Sequence, residues 1–307
     1  AKIMPPTSQN QGMIESDLNA FTKAVVEFEP ELVVIYDDEF NYLTKMCLSN
    51  MREAALDMIR FAKRLGIPSV IYSSDAADHA RYYLEAGCHA VLCGEGEITL
   101  QEVVQSFADD IFQNAREEIQ SIKYLEGTGV QWTSRRPFIE HIDHLPDPDF
   151  SLVNIEAYRN IWKTHHGYFS LNVSTTRGCP YHCNWCAKPI YGQIYHSMSP
   201  RKIAKHFKSL YEKYSVDHIW ITDDIFGLKP DWLEAFSGEC TKLGIRLPYK
   251  CLTRADLLLK NNTMQWLRDS GCQTIWIGAE SGSQRILDAM EKGTRVEQVY
   301  EAARRAR

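Results

Sequence analysis

The sequence contains no long apolar segment and no excess of basic residues. No run of about 18 apolar residues occurs, which is the length that a helix needs to cross a bilayer. The opening residues, "AKIMPPTSQNQGM", lack the basic and then apolar pattern of a secretory signal peptide, so we expect a cytoplasmic protein. Lysine and arginine number 34 against 40 acidic residues, which gives a formal net charge of −6. This balance argues against general binding to nucleic acids, which requires a basic surface.

Most of the nine cysteines are not spaced for metal binding. Six lie singly in predicted strands or helices, where a small buried hydrophobe is their usual role: Cys47, Cys88, Cys93, Cys240, Cys251 and Cys272. The other three lie in one segment, residues 174–192, which reads "STTRGCPYHCNWCAKPIYG" and is named the cysteine loop here. An odd total with three cysteines in one loop favours metal or cluster binding in a reducing compartment over a disulfide framework.

Residues 16–112 alternate between helical and strand patterns. Strands are predicted at "ELVVIY", "PSVIYSS" and "HAVLC", with helices at "SDLNAFTKAVVEF", "MREAALDMIRFAKRLG", "DHARYYLEAG" and "EITLQEVVQSFADDI". Short apolar strands separated by helices predict a parallel sheet covered on both faces, which is an α/β fold of the Rossmann-like type. We assign residues 1–112 to this first domain and expect it to be incomplete at its start by one strand and helix.

The rest of the chain is predicted to be a connector and a second α/β domain. Residues 113–168 contain a hairpin around Gly127 and Gly129 and then an extended linker, "HIDHLPDPDFSLVN". Residues 169–307 alternate again, with strands at "FSLNVST", "DHIWIT", "LPYKCL" and "QTIWIG". Four successive strand–helix units predict a partial βα barrel, whose chemistry lies on the loops after the strands. Four strands are too few to close a barrel, so we expect a fragment.

The cysteine loop follows the first predicted barrel strand and has the pattern Cys-x-x-x-Cys-x-x-Cys, formed by Cys179, Cys183 and Cys186. Thiolates are soft ligands that suit zinc or iron–sulfur clusters. Structural zinc takes four ligands, whereas three cysteines on a cubane cluster leave one iron open for another molecule. His182 is the candidate fourth zinc ligand, but it directly precedes Cys183, and a short loop does not readily aim both at one ion. The spacing favours a cluster over zinc and over core cysteines.

These cysteines, with the aromatic Trp185 before the last of them, resemble the signature of the radical S-adenosylmethionine (SAM) enzymes. In that family the open iron binds the amino and carboxylate groups of SAM. An electron from the reduced 4Fe-4S cluster then cleaves the sulfonium to a 5′-deoxyadenosyl radical. The resemblance therefore implies a 4Fe-4S cluster, SAM as its fourth ligand with Trp185 nearby, and an electron donor such as a flavodoxin or ferredoxin as a partner.

The resemblance also implies SAM contacts after the later strands. The family places polar groups after the second strand against the methionine amino group, and "ITDDIFG" offers Asp223 or Asp224, with helix capping as the alternative. The family's common Gly-Gly-Glu is absent, so the choice between the two stays open. Arg254 in "CLTRADL" resembles an arginine directed at the cofactor carboxylate, with a surface ion pair as the alternative. Glu280 and Ser281 in "GAESGSQRILDAMEKG" match a family run that contacts the ribose or methionine.

The first domain ends in "VLCGEGEITLQEVV" and resembles the cobalamin-binding domain of the cobalamin-dependent radical SAM enzymes. The two resemblances together cover most of the 307 residues. Gly94 and Gly96, with Glu95 between them, would let the backbone approach a bulky ligand at a strand tip. The helix after Glu97 presents free amide groups. An ordinary strand-to-helix turn is the alternative.

The other strand tips of the first domain supply the remaining cobalamin candidates. They are Asn41 in "YDDEFNY" and Ser73, Ser74 and Asp75 in "SSDAADH". Many cobalamin domains supply a histidine to cobalt through an Asp-x-His-x-x-Gly run, but in "DHARYYLEAG" aspartate directly precedes His79. The resemblance therefore implies cobalamin bound without that histidine.

The combined resemblance predicts methyl transfer to an unactivated carbon of a small molecule that the sequence does not identify. In such enzymes the adenosyl radical abstracts hydrogen, and methylcobalamin supplies the methyl group. Radical ring formation, as in the anaerobic magnesium-protoporphyrin ester cyclase, is the alternative within the family. Two further alternatives are a non-catalytic sensor that binds cobalamin or a cluster, and a methylthiotransferase-like enzyme acting on RNA. The last requires clustered cysteines before the barrel, and Cys47, Cys88 and Cys93 are dispersed.

Overall fold

The chain divides into two compact units, Ala1–Ile139 and Glu140–Arg307. The computed structural model describes residues 14–36, 48–186 and 190–307. Both units are mixed α/β structures built on parallel strands, which confirms the predicted α/β class. Within the described ranges, no helix is long and apolar enough to cross a membrane.

The first unit is a five-stranded sheet with helices between its first strands. The strands are β1 (Val33–Tyr36), β2 (Ser69–Tyr72), β3 (Ala90–Leu92), β4 (Ile122–Glu126) and β5 (Gly129–Trp132). The helices are α1 (Ile14–Phe28), α2 (Leu48–Arg64), α3 (Ser74–Asp78), α4 (Ala80–Ala86), α5 (Gly96–Ala108) and α6 (Phe112–Ala115). Strands β1, β2 and β3 are parallel, and β4 and β5 continue the sheet antiparallel. The described strands follow one another in chain order without the reversal that creates a ligand crevice in doubly wound sheets.

Helix α2 illustrates how the sequence builds this unit. Its buried residues Leu56, Ile59 and Ala62 recur at every third position and therefore share one face. Leu56 and Ile59 pack in one cluster with Ile71 of β2. The helix ends just before Gly66, whose φ of +72° is left-handed and favours glycine.

The predicted boundary at residue 112 is not where the first compact unit ends. The hairpin of β4 and β5, which the sequence analysis placed in the connector, pairs with β3 through Val91 and Lys123. The first unit therefore extends to Ile139. The remaining connector belongs to the second unit and is not a plain extended linker, because it contains two short 3₁₀ turns and the helix Ile155–His166.

The second unit contains four parallel strands in the order β6-β9-β10-β11 and a separate two-stranded ribbon, β7-β8. The strands are β6 (Ser170–Val173), β7 (Thr176–Arg177), β8 (His196–Ser197), β9 (His218–Ile221), β10 (Tyr249–Thr253) and β11 (Cys272–Ile277). The helices are α7 (Ile155–His166), α8 (Pro200–Tyr214), α9 (Pro230–Lys242), α10 (Ala255–Leu258), α11 (Thr263–Ser270), α12 (Gln284–Ala289) and α13 (Val296–Ala306).

The core of the second unit lies between one face of the parallel sheet and helices α8, α9 and α11. Phe207, Phe226 and Phe236 meet the ring of Tyr249 of β10 with centroids 5.8 to 6.3 Å apart, mostly edge to face. Alternate strand residues such as Ile219 and Cys251 join this core. The other alternate residues point to the opposite face of the sheet, and the carboxyl ends of the strands lead into the loops described next.

Candidate functional site

The ribbon of β7 and β8 closes the base of the cysteine loop. Arg177 pairs with His196, so the chain enters and leaves this region side by side. Gly178 follows with a φ of +78°, and a Cβ atom there would lie 2.3 Å from the carbonyl oxygen of Ile194. Glycine is required at this approach of two backbone segments, which fixes the position from which Cys179 starts.

Asp223, at the end of β9, holds the first turn of the loop. Its Oδ1 accepts hydrogen bonds from the backbone N–H groups of Thr175 (2.6 Å) and Thr176 (3.0 Å). Its Oδ2 accepts a hydrogen bond from the Thr175 hydroxyl at 2.5 Å. Burial raises the pKa of this carboxyl to about 6. Both oxygens of the first candidate for the methionine amino group are therefore bonded to the cysteine loop.

Two further contacts hold the middle of the cysteine loop. The guanidinium carbon of Arg254 lies 3.7 Å from the centre of the Tyr181 ring, a cation–π contact. The backbone N–H of Asn184 donates to the carbonyl of Met290 at 3.1 Å, and its Nδ2 donates to the carbonyl of Ala289 at 2.7 Å. The loop is thus attached to the end of β10 and to the end of helix α12.

Arg254 and Glu280 are connected through Lys292. The buried Arg254 donates from Nε to Asp256 at 2.9 Å and from Nη1 to the carbonyl of Lys292 at 2.7 Å. The Nζ of Lys292, also buried, donates to Oε1 of Glu280 at 2.9 Å. A Cβ atom on Gly278 would come within 3.0 Å of that Nζ, so the glycine leaves room for the pair. Arg254 is buried and its partner Asp256 is half-buried, so this pair is not the surface ion pair that was the alternative from the sequence.

The three cysteines of the cysteine loop are all at least partly accessible. None of the described cysteines forms a disulfide; Cys179 and Cys183 are half-buried and Cys186 is exposed. Across the described residues, no three His, Cys, Asp or Glu side chains converge as single-ion ligands do. One zinc ion needs its ligands around one point, whereas each iron of a cubane takes its own thiolate. The choice between a cluster and a zinc ion therefore stays a prediction from the spacing, and His182 is exposed on the cysteine loop.

The other candidate SAM residues lie at neighbouring positions in the same unit. Trp185 is 53% exposed on the cysteine loop, and Asp224 is exposed after β9. Glu280 has a φ of +58°, an unfavourable conformation for a residue with a Cβ atom, which often marks a functional site. The Oγ of Ser281 accepts a hydrogen bond from the N–H of Ser283 at 3.1 Å, just before α12. The described contacts leave the SAM roles of these residues as predictions.

In the first unit, two of the candidate cobalamin residues are bonded within the fold. The Oγ of Ser73 caps α3 by accepting from the N–H of Ala76 at 2.9 Å. Oδ2 of Asp75 accepts from Arg52 at 2.8 Å and from the Tyr83 hydroxyl at 2.5 Å. Burial alone would raise the pKa of Asp75, but the bonds from Arg52 and Tyr83 outweigh it and lower the pKa.

The turn after β3 is likewise held by contacts within the first unit. Oε2 of the buried Glu95 accepts a hydrogen bond from the N–H of Ile139 at 2.5 Å. The rings of Tyr36 and Tyr72 stack with centroids 4.3 Å apart. A Cβ atom on Gly96 would lie 2.8 Å from Tyr72 Cδ2 and 3.0 Å from the Tyr36 hydroxyl oxygen. The space at Gly96, predicted to admit a ligand, is filled by this tyrosine pair.

The structure gives fewer contacts for the remaining cobalamin candidates, which are Gly94, Ser74 and Asn41. Gly94 has a φ of +69°, and among the described residues a Cβ atom there would meet only Ser121 Oγ, at 4.0 Å, so these residues leave space beside it. Ser74 is half-buried at the first position of α3. Asn41 lies outside the described residues. Their contacts to cobalamin stay predictions.

The cysteines of the first unit give no support to a second cluster. Cys88 is buried, its Sγ donates to the carbonyl of Ala90 at 3.1 Å, and burial raises its pKa to about 12. Neither Cys88 nor Cys93 belongs to a metal-binding group among the residues that the structure describes. Cys47 lies outside the described residues.

Sequence reasoning missed Lys292, Tyr181 and Asn184 as parts of the site. Tyr181 and Asn184 lie between the cysteines, so their place in the pattern was a usable signal. Lys292 had no such signal, because nothing in "MEKG" indicates a buried lysine. Lysines are rarely buried without a partner, and Lys292 finds one in Glu280.

Known proteins resemble much of this chain in sequence. Residues 173–307 match the Radical SAM superfamily. An uncharacterized methyltransferase of Pyrococcus horikoshii is 28% identical over 221 residues, 71% of this chain and 46% of that protein. The anaerobic magnesium-protoporphyrin IX monomethyl ester cyclase of Cereibacter sphaeroides is 25% identical over 222 residues, 70% of this chain and 35% of that protein.

A solved structure supports the fold of almost the whole chain. The cobalamin-dependent SAM radical enzyme OxsB, with aqua-cobalamin and SAM bound, aligns with a TM-score of 0.74 at 17% identity. The alignment covers 95% of this chain and 41% of OxsB. The chain thus spans less than half the length of each of these three proteins.

Proposed function

We propose that the chain, whose residues 173–307 match the Radical SAM superfamily, is the cofactor-binding part of a cobalamin-dependent radical SAM methyltransferase. In this proposal Cys179, Cys183 and Cys186 hold a 4Fe-4S cluster whose open iron binds SAM. The second unit is part of a βα barrel, and the first unit is a Rossmann-like domain that binds cobalamin. The reaction is methyl transfer to an unactivated carbon of a small molecule.

The observation that carries the proposal is the attachment of the cysteine loop. Its base is bonded to Asp223, and its middle contacts Arg254 and the end of α12. A loop that must present three thiolates to one cluster needs such fixed points, because ligand geometry tolerates little error. Core cysteines would need none of them.

The chain's own residues have separable roles in this site. When bound, the cluster supplies the electron that cleaves SAM, and cobalamin supplies the methyl group. Because both oxygens of Asp223 are bonded to the loop, we assign the contact with the methionine ammonium to Asp224. Arg254 acts as a positioning residue for the loop. Lys292 orients Glu280 toward a polar group of SAM, with Ser281 beside it and Trp185 against the cofactor.

The cobalamin part of the proposal rests on fewer residues. The likeness to OxsB extends over both units, and the open space beside Gly94 suits the close approach of a bulky ligand. Ser73, Asp75 and Glu95 are bonded within the fold, so their backbone groups would serve cobalamin better than their side chains. We propose a flavodoxin or ferredoxin as the electron donor, and cytoplasmic location stays a prediction.

Radical cyclisation is the second candidate, because a cyclase is among the relatives. The test of the enzyme class is anaerobic incubation of the reconstituted chain with SAM and dithionite, followed by chromatography for 5′-deoxyadenosine. We expect the wild-type chain to form it and the Cys183→Ala variant to form none. No 5′-deoxyadenosine from a chain with a full cluster would favour the sensor reading. If the chain does form 5′-deoxyadenosine, a methylated product would distinguish the transferase from the cyclase.

A further inference from the structure

One face of the parallel sheet in the second unit carries a lysine between two tryptophans. Asn172, Trp220, Lys250 and Thr274 lie side by side in register across β6, β9, β10 and β11. Leu252 and Trp276 are paired in the next row toward the carboxyl ends of the strands. These six residues are called the open face: Asn172, Trp220, Lys250, Leu252, Thr274 and Trp276. They alternate with the residues that enter the core, so they share the opposite side.

Lys250 is the positive charge of the open face. Its Nζ lies 3.5 Å from the centre of the Trp220 ring and 5.0 Å from that of Trp276. The two indoles meet edge to face with centroids 5.5 Å apart. Within the described part of the chain, no carboxylate lies within 4.0 Å of Nζ, and partial burial lowers the pKa of the amine. The ammonium has thus lost part of its hydration without gaining an anion.

The next row toward the amino ends of the strands consists of Ser170 and His218. Both residues are buried, and neither carries a negative charge that could pair with Lys250. The Oγ of Ser170 and Nδ1 of His218 are 2.9 Å apart and buried. Burial, with the charge of Lys250 adding to it, lowers the pKa of His218 to about 4, so its ring is neutral at pH 7. The open face is therefore bounded by buried residues on the amino-terminal side of Lys250.

The row above Lys250 is apolar and accessible. Trp276 is 47% exposed and Leu252 is 36% exposed. An indole face and a leucine side chain offer a flat apolar surface, which favours stacking by a planar molecule. The exposed Thr274 lies directly beside Lys250 and offers a hydroxyl that can donate a hydrogen bond, whereas the exposed Asn172 lies two strands away, beyond Trp220.

We infer that the open face binds the substrate as a planar apolar molecule with a carboxylate at one end. The carboxylate pairs with Lys250 and accepts a hydrogen bond from the neighbouring Thr274, and the planar body stacks on Trp276 and Leu252. This inference rests on the proposed function, because it takes the ligand to be the substrate. Lys250 lies three residues before the end of β10 and strands rise about 3.3 Å per residue, so the carboxylate lies about 10 Å below the carboxyl end of β10, toward which the planar body extends. The reacting carbon is therefore at the far end of the molecule from the carboxylate.

The test is calorimetric binding of two probes that differ only in charge, naphthalene-2-carboxylate and naphthalene-2-carboxamide, to the full chain without added cofactors. We expect the carboxylate to bind at least tenfold more tightly than the amide. Lys250→Gln should remove this preference, and Lys250→Arg should retain most of it. Trp276→Leu should weaken both probes by a similar factor.

The first unit offers matched control variants. Lys123 lies 4.7 Å from the centre of the Trp132 ring, the same type of contact, and Trp132 is 74% exposed. Lys123→Gln and Trp132→Leu should leave the binding of both probes unchanged. Circular dichroism of every variant checks that it is folded, and Lys250→Arg keeps the test decisive if Lys250→Gln does not fold.

Three outcomes would overturn the inference. Equal binding of the two probes would remove the anion preference, and an unchanged preference in folded Lys250→Gln would place the carboxylate elsewhere. A wild-type dimer in sedimentation that Trp276→Leu converts to a monomer would show that a second copy covers the face. None of these measurements needs the cluster, so they fail or succeed independently of 5′-deoxyadenosine formation.

Discussion

The two units place similar polar residues at the ends of their parallel strands and use them differently. In the first unit, Ser73 caps a short helix and Glu95 bonds to a backbone N–H group, so each stabilises only its own neighbourhood. In the second unit, Asp223 and Arg254 are equally buried and bonded, but what they hold is the cysteine loop. Burial and hydrogen bonding alone do not distinguish a functional strand tip from a structural one.

The distinction lies in what the bonded partner carries. Asp223 contacts Thr175 and Thr176, a few residues before the first cysteine, and Arg254 contacts Tyr181 between two of them. These contacts span 48 and 73 residues of sequence, counted as 223 − 175 and 254 − 181. Long-range bonds to a loop with metal-ligand spacing are therefore the signature to seek.

The largest expected difference between the units comes from Cys183→Ala. Loss of one thiolate should reduce the iron and sulfide bound after anaerobic reconstitution from about four of each per chain to near zero. The first unit should remain folded, because the cysteine lies outside its core. Cys93→Ala, in the first unit, serves as the control and should bind a full load. A full load of iron and sulfide in the Cys183→Ala chain would refute the assignment.

Arg254→Gln tests whether a strand-tip residue of the second unit supports the loop. The change leaves the half-buried Asp256 and the Lys292 carbonyl without their donor and removes the contact with Tyr181. We expect the free energy of unfolding to fall by about 3 kcal/mol and the reconstituted iron to leave faster to a chelator. Urea denaturation and the absorbance of a ferrous chelator measure the two effects. The exposed Arg246→Gln is the matched control, and equal iron release from both variants would contradict a positioning role.

Asp223→Asn probes the same attachment through pH. The folded pKa of about 6 lies above the ordinary 3.8, so the folded chain holds this proton more tightly than the unfolded chain does. The resulting stability is fully present below about pH 4 and is lost as pH rises to about 6. Relative to Asp223→Asn, the wild-type free energy of unfolding should fall by about 3 kcal/mol across that window and level off above it. A difference that stays constant with pH, measured by urea denaturation of the apoprotein, would rule out this burial effect.

Gly96→Ala should produce the smallest effect, confined to the first unit. The new Cβ would press on the Tyr72 ring, and such overpacking costs about 2 kcal/mol. Iron loading should not change. Gly238→Ala is the control, since its Cβ would meet nothing within 4 Å on helix α9, and it should be neutral or slightly stabilising. Thermal unfolding checks this expectation. Equal midpoints for Gly96→Ala and Gly238→Ala would show that Tyr36 and Tyr72 can move aside without loss of stability.

Much of the fold was predictable because strand and helix periodicities are local. The four parallel strands of the second unit lie where the apolar runs placed them, within about two residues. Helix α7 was not predicted, because the Pro- and Asp-rich segment before it is typical of an extended linker. The helix nevertheless has Asn154 as its N-cap and buries Ile155. The hairpin was predicted, but its pairing with β3 depends on tertiary contact rather than on local sequence.

The site was predictable to the extent that its chemistry is encoded in spacing. The three cysteines could be recognised from the sequence because ligands of one cluster that come from one loop have a short, fixed spacing. The link from Arg254 to Lys292 and on to Glu280 joins residues up to 38 positions apart, and no periodicity encodes it. For the same reason, the bonds of Asp223 to Thr175 and Thr176 could not be predicted from the sequence.

Anaerobic reconstitution with iron, sulfide and hydroxocobalamin, then desalting, a visible spectrum and metal analysis, tests the two-cofactor account most directly. The account predicts about four irons and one cobalt per chain, with the broad absorption of a 4Fe-4S cluster. Iron without cobalt would contradict the cobalamin assignment of the first unit and, with it, the methyltransferase proposal.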